Sequence, residues 1–195
     1  MAKMWDMSVL RQALSLATLM LSAVILAFDT PPATGGRARE SAERDAIVRT
    51  LASLIDACVA GLVADAVLVG PPDSGLGIIA EEAGCGLVEA VDARSGLARA
   101  LPAMRYPDVL VLRAGHAPER GFVDELRDAL SYGEQGRALV LRAAPSSLLT
   151  RIAPRLAEAV GLVARREDFG AAGDLATLAK KLRATELTTK ARRAI

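Results

Sequence analysis

The chain has 195 residues, enough for one domain with a full core, and its 24 Lys and Arg stand against 23 Asp and Glu for a net charge of +1. So balanced a charge excludes an overall nucleic-acid-binding surface, and aromatic residues at 3% leave few rings on which bases could stack. Hydrophobic residues make up 52%, so the core must be built from Ala, Val, Leu and Ile. That composition suits helices packed on a parallel sheet, and the predicted class is α/β. Cys58 and Cys85 lie in apolar contexts, IDACVAGLV and AGCGLVEA, which predict small core residues rather than a disulfide. With one histidine, His116, the ligands for a zinc site are missing.

The chain opens on an apolar segment, residues 1–18, with Met1, Met4, Trp5, Met7, Val9 and Leu10. Left in water, such a set marks an interface or a membrane-surface helix; packing back on its own domain is the alternative. Residues 10–28 are the most apolar stretch. Roughly 20 apolar residues can span a bilayer, so an anchor or signal peptide is one reading. Arg11 and Gln12 shorten the uncharged run and Ile25-Leu26-Ala27 is a poor cleavage site, which favours a first strand at Met20–Ala27, buried on both faces.

Residues 29–40, DTPPATGGRARE, read as a loop. Ile47, Val48, Leu51, Leu54, Ile55, Cys58, Val59 and Leu62 then recur at helical spacing, with Gly61 placed to end the helix. Regular alternation follows: a strand at Asp65–Val69, a helix at Leu76–Ala83 stopped by Gly84, a strand at Gly86–Val91 and a short helix at Gly96–Met104. Asp108–Leu112 is a Val- and Leu-rich run bounded by Pro107, as a central parallel strand should be. Beyond it come a helix at Phe122–Tyr132 closed by Gly133, a strand at Arg137–Leu141, and a helix capped by Ser146 and running to Val160 with a bend at Pro154. The alternation predicts a mostly parallel central sheet with helices on both faces, Rossmann-like in its winding. From Lys180 on, six basic residues face Glu186 alone. That basic tail, residues 179–195, reads either as a solvated helix end with a frayed terminus or as a contact for anionic lipid or an acidic partner. Residues 19–178 make up the α/β domain.

Taken in order, LMLSAVILAFDTP, the segment from VRTLASLIDACVAG to GCGLVEA, YPDVLVLRAGHAPERGFVDEL and GLVARREDFGAAGDLATLAKKLRATELTTKARRAI resemble a short bacterial family 2 glycosyltransferase of GT-A type over residues 19–193. The resemblance implies a nucleotide-sugar cleft at the ends of the first, second and central strands, where Asp29 and Asp73 would lie with Arg113 and His116. Family members hold the sugar diphosphate through a metal on an Asp-x-Asp motif, because adjacent phosphates need a hard cation with oxygen ligands. Here those positions read Arg113-Ala114-Gly115. Gly70 stands at the aspartate that meets the base, leaving Asp73 as substitute, and the late acidic pair that supplies the catalytic base is reduced to Asp174, since Glu167 and Asp168 fall too early.

Three lost motifs on a kept framework predict a glycosyltransferase-like protein without catalysis, a pseudoenzyme serving as an interaction or scaffolding subunit for a protein partner or a second copy of itself, with no bound metal. The alternative is a divergent, metal-independent transferase in which Arg113 and His116 hold the phosphates of a nucleotide sugar. Rival chemistries are thinner: His116 with Cys85, or with Asp108 and Ser74, comes without a Gly-x-Ser-x-Gly elbow, and Thr34-Gly35-Gly36 matches no phosphate loop. The bland reading of Arg113 is an ion pair with Glu119. The expected location is the cytoplasm, at the inner face of the membrane if the N-terminal segment or the tail touches lipid.

Overall fold

The computed structural model describes residues 20–28, 36–132, 137–171 and 174–194. Asp29, Gly133 and the N-terminal segment 1–18 lie outside the described residues. The strands are β1 (Leu21–Leu26), β2 (Val63–Gly70), β3 (Gly86–Glu89), β4 (Asp108–Arg113), β5 (His116–Pro118), β6 (Leu139–Ala143), β7 (Ala159–Arg165) and β8 (Thr185–Arg193). The helices are α1 (Gly36–Ser53), α2 (Ile55–Val59), α3 (Leu76–Ala83), α4 (Ala93–Ala100), α5 (Phe122–Tyr132), α6 (Leu148–Ile152) and α7 (Leu175–Lys181).

All eight strands join one sheet in the order β3-β2-β1-β4-β7-β6-β8-β5. Four ladders are parallel, β1 with β2 and β4, β2 with β3, and β6 with β8, while β7 runs antiparallel between β4 and β6 and β5 runs antiparallel to β8. The mostly parallel α/β sheet expected from the sequence is therefore present, and β4 is central. Period-two alternation divides its side chains between two cores. Ile25, Leu110 and Leu112 pack with Ile47, Ile79, Phe122 and Leu126 from α1, α3 and α5. Val24, Val109 and Val111 pack on the other face with Leu97 of α4 and Leu175 and Leu178 of α7.

Several boundaries depart from the sequence reading. The helix expected at 146–160 is only five residues of α6, capped by Ser147 rather than Ser146 in a reciprocal box with Thr150. Pro154 disfavours helical backbone at Ala153, which adopts φ −127° and ψ 80°, and the chain turns into β7. β7 is buried along nearly its whole length, so its apolar residues carry no period that separates strand from helix. Gly161 is needed there: a Cβ at that position would come within 3.1 Å of the Leu141 Cβ and 3.3 Å of Leu112.

The basic tail is a strand. β8 lies between β6 and β5 with Leu187 and Ala191 buried, which corrects the reading of a solvated helix end and frayed terminus. Glu125 of α5 clamps it, accepting from the Thr188 and Thr189 N–H groups at 2.5 and 2.8 Å and from Thr189 Oγ1 at 2.5 Å.

The first helix begins at Gly36, inside the expected loop, and is broken at Leu54, so the apolar stripe changes phase. Leu54, Ala57 and Leu62 are buried, whereas Ile55, Cys58 and Val59 face outward. Cys58 is thus exposed rather than a core residue. Among the described residues, no helix is long and apolar enough to cross a membrane.

Candidate functional site

β4 ends at Arg113, and the next two residues, Ala114 and Gly115, form the turn that leads into β5. Gly115 takes φ +80°, a region favourable to glycine. Two bonds hold this turn against the domain: Ala114 N–H donates to the Leu26 carbonyl of β1 at 2.8 Å, and Gly115 N–H donates to Thr50 Oγ1 of α1 at 2.9 Å. The residues expected to carry chemistry therefore sit on a fixed support at the carboxyl ends of the parallel strands, where open α/β sheets bind ligands.

Arg113 forms an ion pair with Glu158, which immediately precedes β7, and not with Glu119, which pairs with Arg192 at 2.6 Å. The antiparallel strand missed in the sequence is what brings Glu158 to the end of β4. His116 lies within the field of the same groups. Burial pushes its imidazole below the ordinary histidine value; Glu158 and the Ala114 carbonyl oppose this, while Arg113 and Arg193 reinforce it. Its Nδ1 is buried with no hydrogen-bond partner among the described residues.

Beside Arg113 opens a cleft of about 500 Å³, lined by Arg142 at the end of β6, Arg155, Glu158, and Asp174, Lys180 and Arg183 from α7 and its flanks. Asp174 is thus brought to the same cleft as Arg113. Its carboxylate, however, caps α7, accepting from the Thr177 N–H at 3.2 Å. Arg142 donates to the Ala157 carbonyl at 2.7 Å and pairs with Glu186 at 3.1 Å, and Glu186 also accepts from Lys190 at 2.8 Å. Arg155, Lys180 and Arg183 carry no ion pair among the described residues. Five cations against two carboxylates give the cleft a positive field suited to anions. Of its residues, the sequence marks Arg113 and Asp174 as cleft candidates and places Lys180 and Arg183 in the basic tail. Arg142 carries a readable signal, a basic residue closing an apolar strand as Arg113 does; Glu158 carries none without β7.

The donors at the end of β4 do not fit a divalent cation. Guanidinium, alanine and glycine occupy the positions, Glu158 is engaged by Arg113, and no group of three or more His, Cys, Asp or Glu could hold a metal among the described residues.

A second cavity, of about 280 Å³, lies at the ends of β1 and β2 between Glu43, Arg44 and Asp73. Asp73 has left-handed backbone, φ 56°, in the turn after β2. Asp73 is therefore apart from the cationic cleft but in a cavity of its own. The Arg44 guanidinium covers Gly75, where a Cβ would come within 2.6 Å of it. At Gly70 a Cβ would stand 2.2 Å from Leu76 Cδ1, with Ala27 just behind, so the space an aspartate would need is filled.

The rival pairings are not assembled. Cys85 precedes β3 at the sheet edge, three strands from β4, and lines an apolar groove with exposed Cys58; burial pushes both thiols up. Asp108 begins β4 while His116 follows its end, a separation of roughly 20 Å along a six-residue strand. Ser74 donates to the Pro71 carbonyl within its own turn.

No protein-family model matches the chain, and no curated protein sequence matches it. Solved structures do match. Glucosyl-3-phosphoglycerate synthase from Mycobacterium tuberculosis, in complex with Mn2+, UDP and glucosyl-3-phosphoglycerate, is similar at a TM-score of 0.56 and 18% identity over 86% of this chain and 63% of that one. A mycobacterial protein matches at 0.60 and 19%, covering 92% of this chain and 66% of the other. HddC from Yersinia pseudotuberculosis matches at 0.53 and 8%, covering 79% and 80%. The chain spans less than two thirds of the length of the two mycobacterial proteins. The fold is that of the GT-A glycosyltransferases.

Proposed function

We propose that this chain is a glycosyltransferase-fold binding module that carries out no metal-assisted sugar transfer and serves as an interaction or scaffolding subunit. The observation that carries the reading is the Arg113–Glu158 ion pair at the end of β4. A metal-dependent transferase needs a hard cation there to neutralise the leaving diphosphate. This end of the sheet offers a guanidinium already matched to a carboxylate. The filled space at Gly70 and the capping role of Asp174 support the same reading. The similar M. tuberculosis synthase is a complex with Mn2+ and UDP, whereas among the described residues of this chain no group of three or more His, Cys, Asp or Glu could hold a metal.

The test is thermal shift with UDP- and GDP-sugars, with and without manganese, beside a direct assay for sugar release. A ligand at a hundred times its dissociation constant adds about 2.7 kcal/mol of stability, so binding is readily seen. A flat panel is expected, and turnover of a nucleotide sugar would overturn the reading.

The second reading, a divergent metal-independent transferase, draws on the cationic cleft, whose arginines could neutralise a diphosphate without metal. Turnover that persists in excess chelator would establish it. The partner proposed for the module is another protein or a second copy, engaged through the apolar N-terminal segment. Deleting residues 1–12 should leave the domain folded and abolish that assembly in light scattering and pull-down; unchanged assembly would reject the segment's role.

A further inference from the structure

We infer that the segment Leu148–Leu156 and the neighbouring cationic cleft form a docking surface for an anionic membrane. Two independent observations meet there. Leu148, Leu149, Ile152 and Leu156 are each more than two thirds exposed, and α6 buries none of its residues. Four large aliphatic side chains within nine residues are costly to leave in water. The second observation is charge. Arg151 and Arg155 interleave with those aliphatics, and Leu156 and Arg155 are themselves walls of the cleft that contains Lys180 and Arg183.

Exposed aliphatic side chains interleaved with arginines and adjoining a cationic cleft match what a bilayer surface offers, acyl chains beneath a plane of phosphates. A protein partner fits less well, because segment 147–156 holds no aromatic residue, the type that anchors protein interfaces. Two of the three cations of β8 are engaged elsewhere: Lys190 is held by Glu186 and Arg192 by Glu119. The inference holds whether or not the chain transfers sugar, since its readout is partition and not turnover.

The experiment is co-sedimentation of the full chain with vesicles of phosphatidylcholine alone and of a two-to-one mixture of phosphatidylcholine and phosphatidylglycerol. Binding is expected only to the mixed vesicles and should weaken with added salt. Two variants locate the contact. Leu148→Ser with Ile152→Ser removes half of the apolar patch, and Arg155→Ala with Lys180→Ala and Arg183→Ala removes cations of the cleft. All five side chains are exposed, so both variants should keep the circular dichroism and urea midpoint of the parent. Each should lose more than about tenfold in partition. Variants that bind as the parent does would place the contact elsewhere, the N-terminal segment included, and overturn the inference. So would a parent chain that ignores the mixed vesicles. Binding of a soluble phosphate monoester to the cleft without vesicle binding would assign a soluble anion instead. A dimer lost in the first variant, again without vesicle binding, would assign a second copy.

Discussion

Replacing Thr50 by valine tests whether the turn after β4 is held by one side chain. Thr50 is fully buried on α1, and its Oγ1 both donates to the Ala46 carbonyl and accepts from the Gly115 N–H, each at 2.9 Å. Valine keeps the volume and removes the hydroxyl. The Ala46 carbonyl lies within the helix ladder and loses little, but the Gly115 N–H is left without its acceptor. A donor orphaned in that way costs about 1–3 kcal/mol; because Gly115 is only half-buried, the lower half of that range applies. Thr50→Ser keeps the hydroxyl and loses a buried methyl, a cost of about 1 kcal/mol of different origin. Urea denaturation measures both losses, and amide exchange separates them: Gly115 should lose protection in the valine variant and retain it in the serine variant. If Thr50→Val matches the parent in stability and Gly115 exchanges no faster, the hydrogen bond does not hold the turn.

Three further outcomes are expected. Gly70→Asp should destabilise by about 1–3 kcal/mol, since its Cβ meets buried Leu76, and should create no nucleotide affinity in calorimetry. The unmodified chain should bind no manganese at micromolar concentration; Arg113→Asp with Gly115→Asp should be needed before calorimetry detects any, at a cost in stability because position 115 has φ +80°. Burial pushes the Glu125 carboxyl up, but hydrogen bonds from Thr189 and Thr188 outweigh it and hold the group below its ordinary value of 4.5. The stability it contributes is therefore full above pH 4.5 and is lost as pH falls through the depressed folded value, so an acid titration of the urea midpoint should fall less steeply for Glu125→Gln.

The parallel half of the fold was legible in the sequence because its strands are short apolar runs set between well-marked breakers. Gly84, with φ 65°, stops α3 where expected, and Pro107 precedes β4. The antiparallel half was not, for a physical reason. β7 is buried on both faces and follows a true N-cap and a short helix, so Leu148 to Val160 mixes helical start signals with an unpatterned apolar run. β8 is hard to read for the opposite reason. Its charges are paired in the fold, Glu186 to Lys190 within the strand and to Arg142 of β6, and Arg192 to Glu119 just past β5, and in sequence they look like a solvated tail. The cationic cleft is walled by the ends of β4 and β6, the approach to β7 and the flanks of α7, so the sequence alone marks only Arg113 and Asp174 of it as site residues and reads Lys180 and Arg183 as part of the tail.

The three positions at which the chain departs from the transferase pattern share a feature that sequence alone could not supply. Each is occupied. The volume beside Gly70 is taken by Leu76, Arg113 is matched by Glu158, and Asp174 serves as the cap of α7. A carboxylate placed at 70 must displace a buried leucine, and one placed at 113 must face an unpaired Glu158, a like-charge contact that raises the pKa of at least one of the two. Using Asp174 as a base would withdraw the acceptor from the Thr177 N–H, costing about 1 kcal/mol. The costs at 70 and 113 arise on different strands and have no shared partner, so they should add. Single substitutions toward the pattern should then each lower stability without any gain in nucleotide or metal binding, and a combination should do so by roughly the sum.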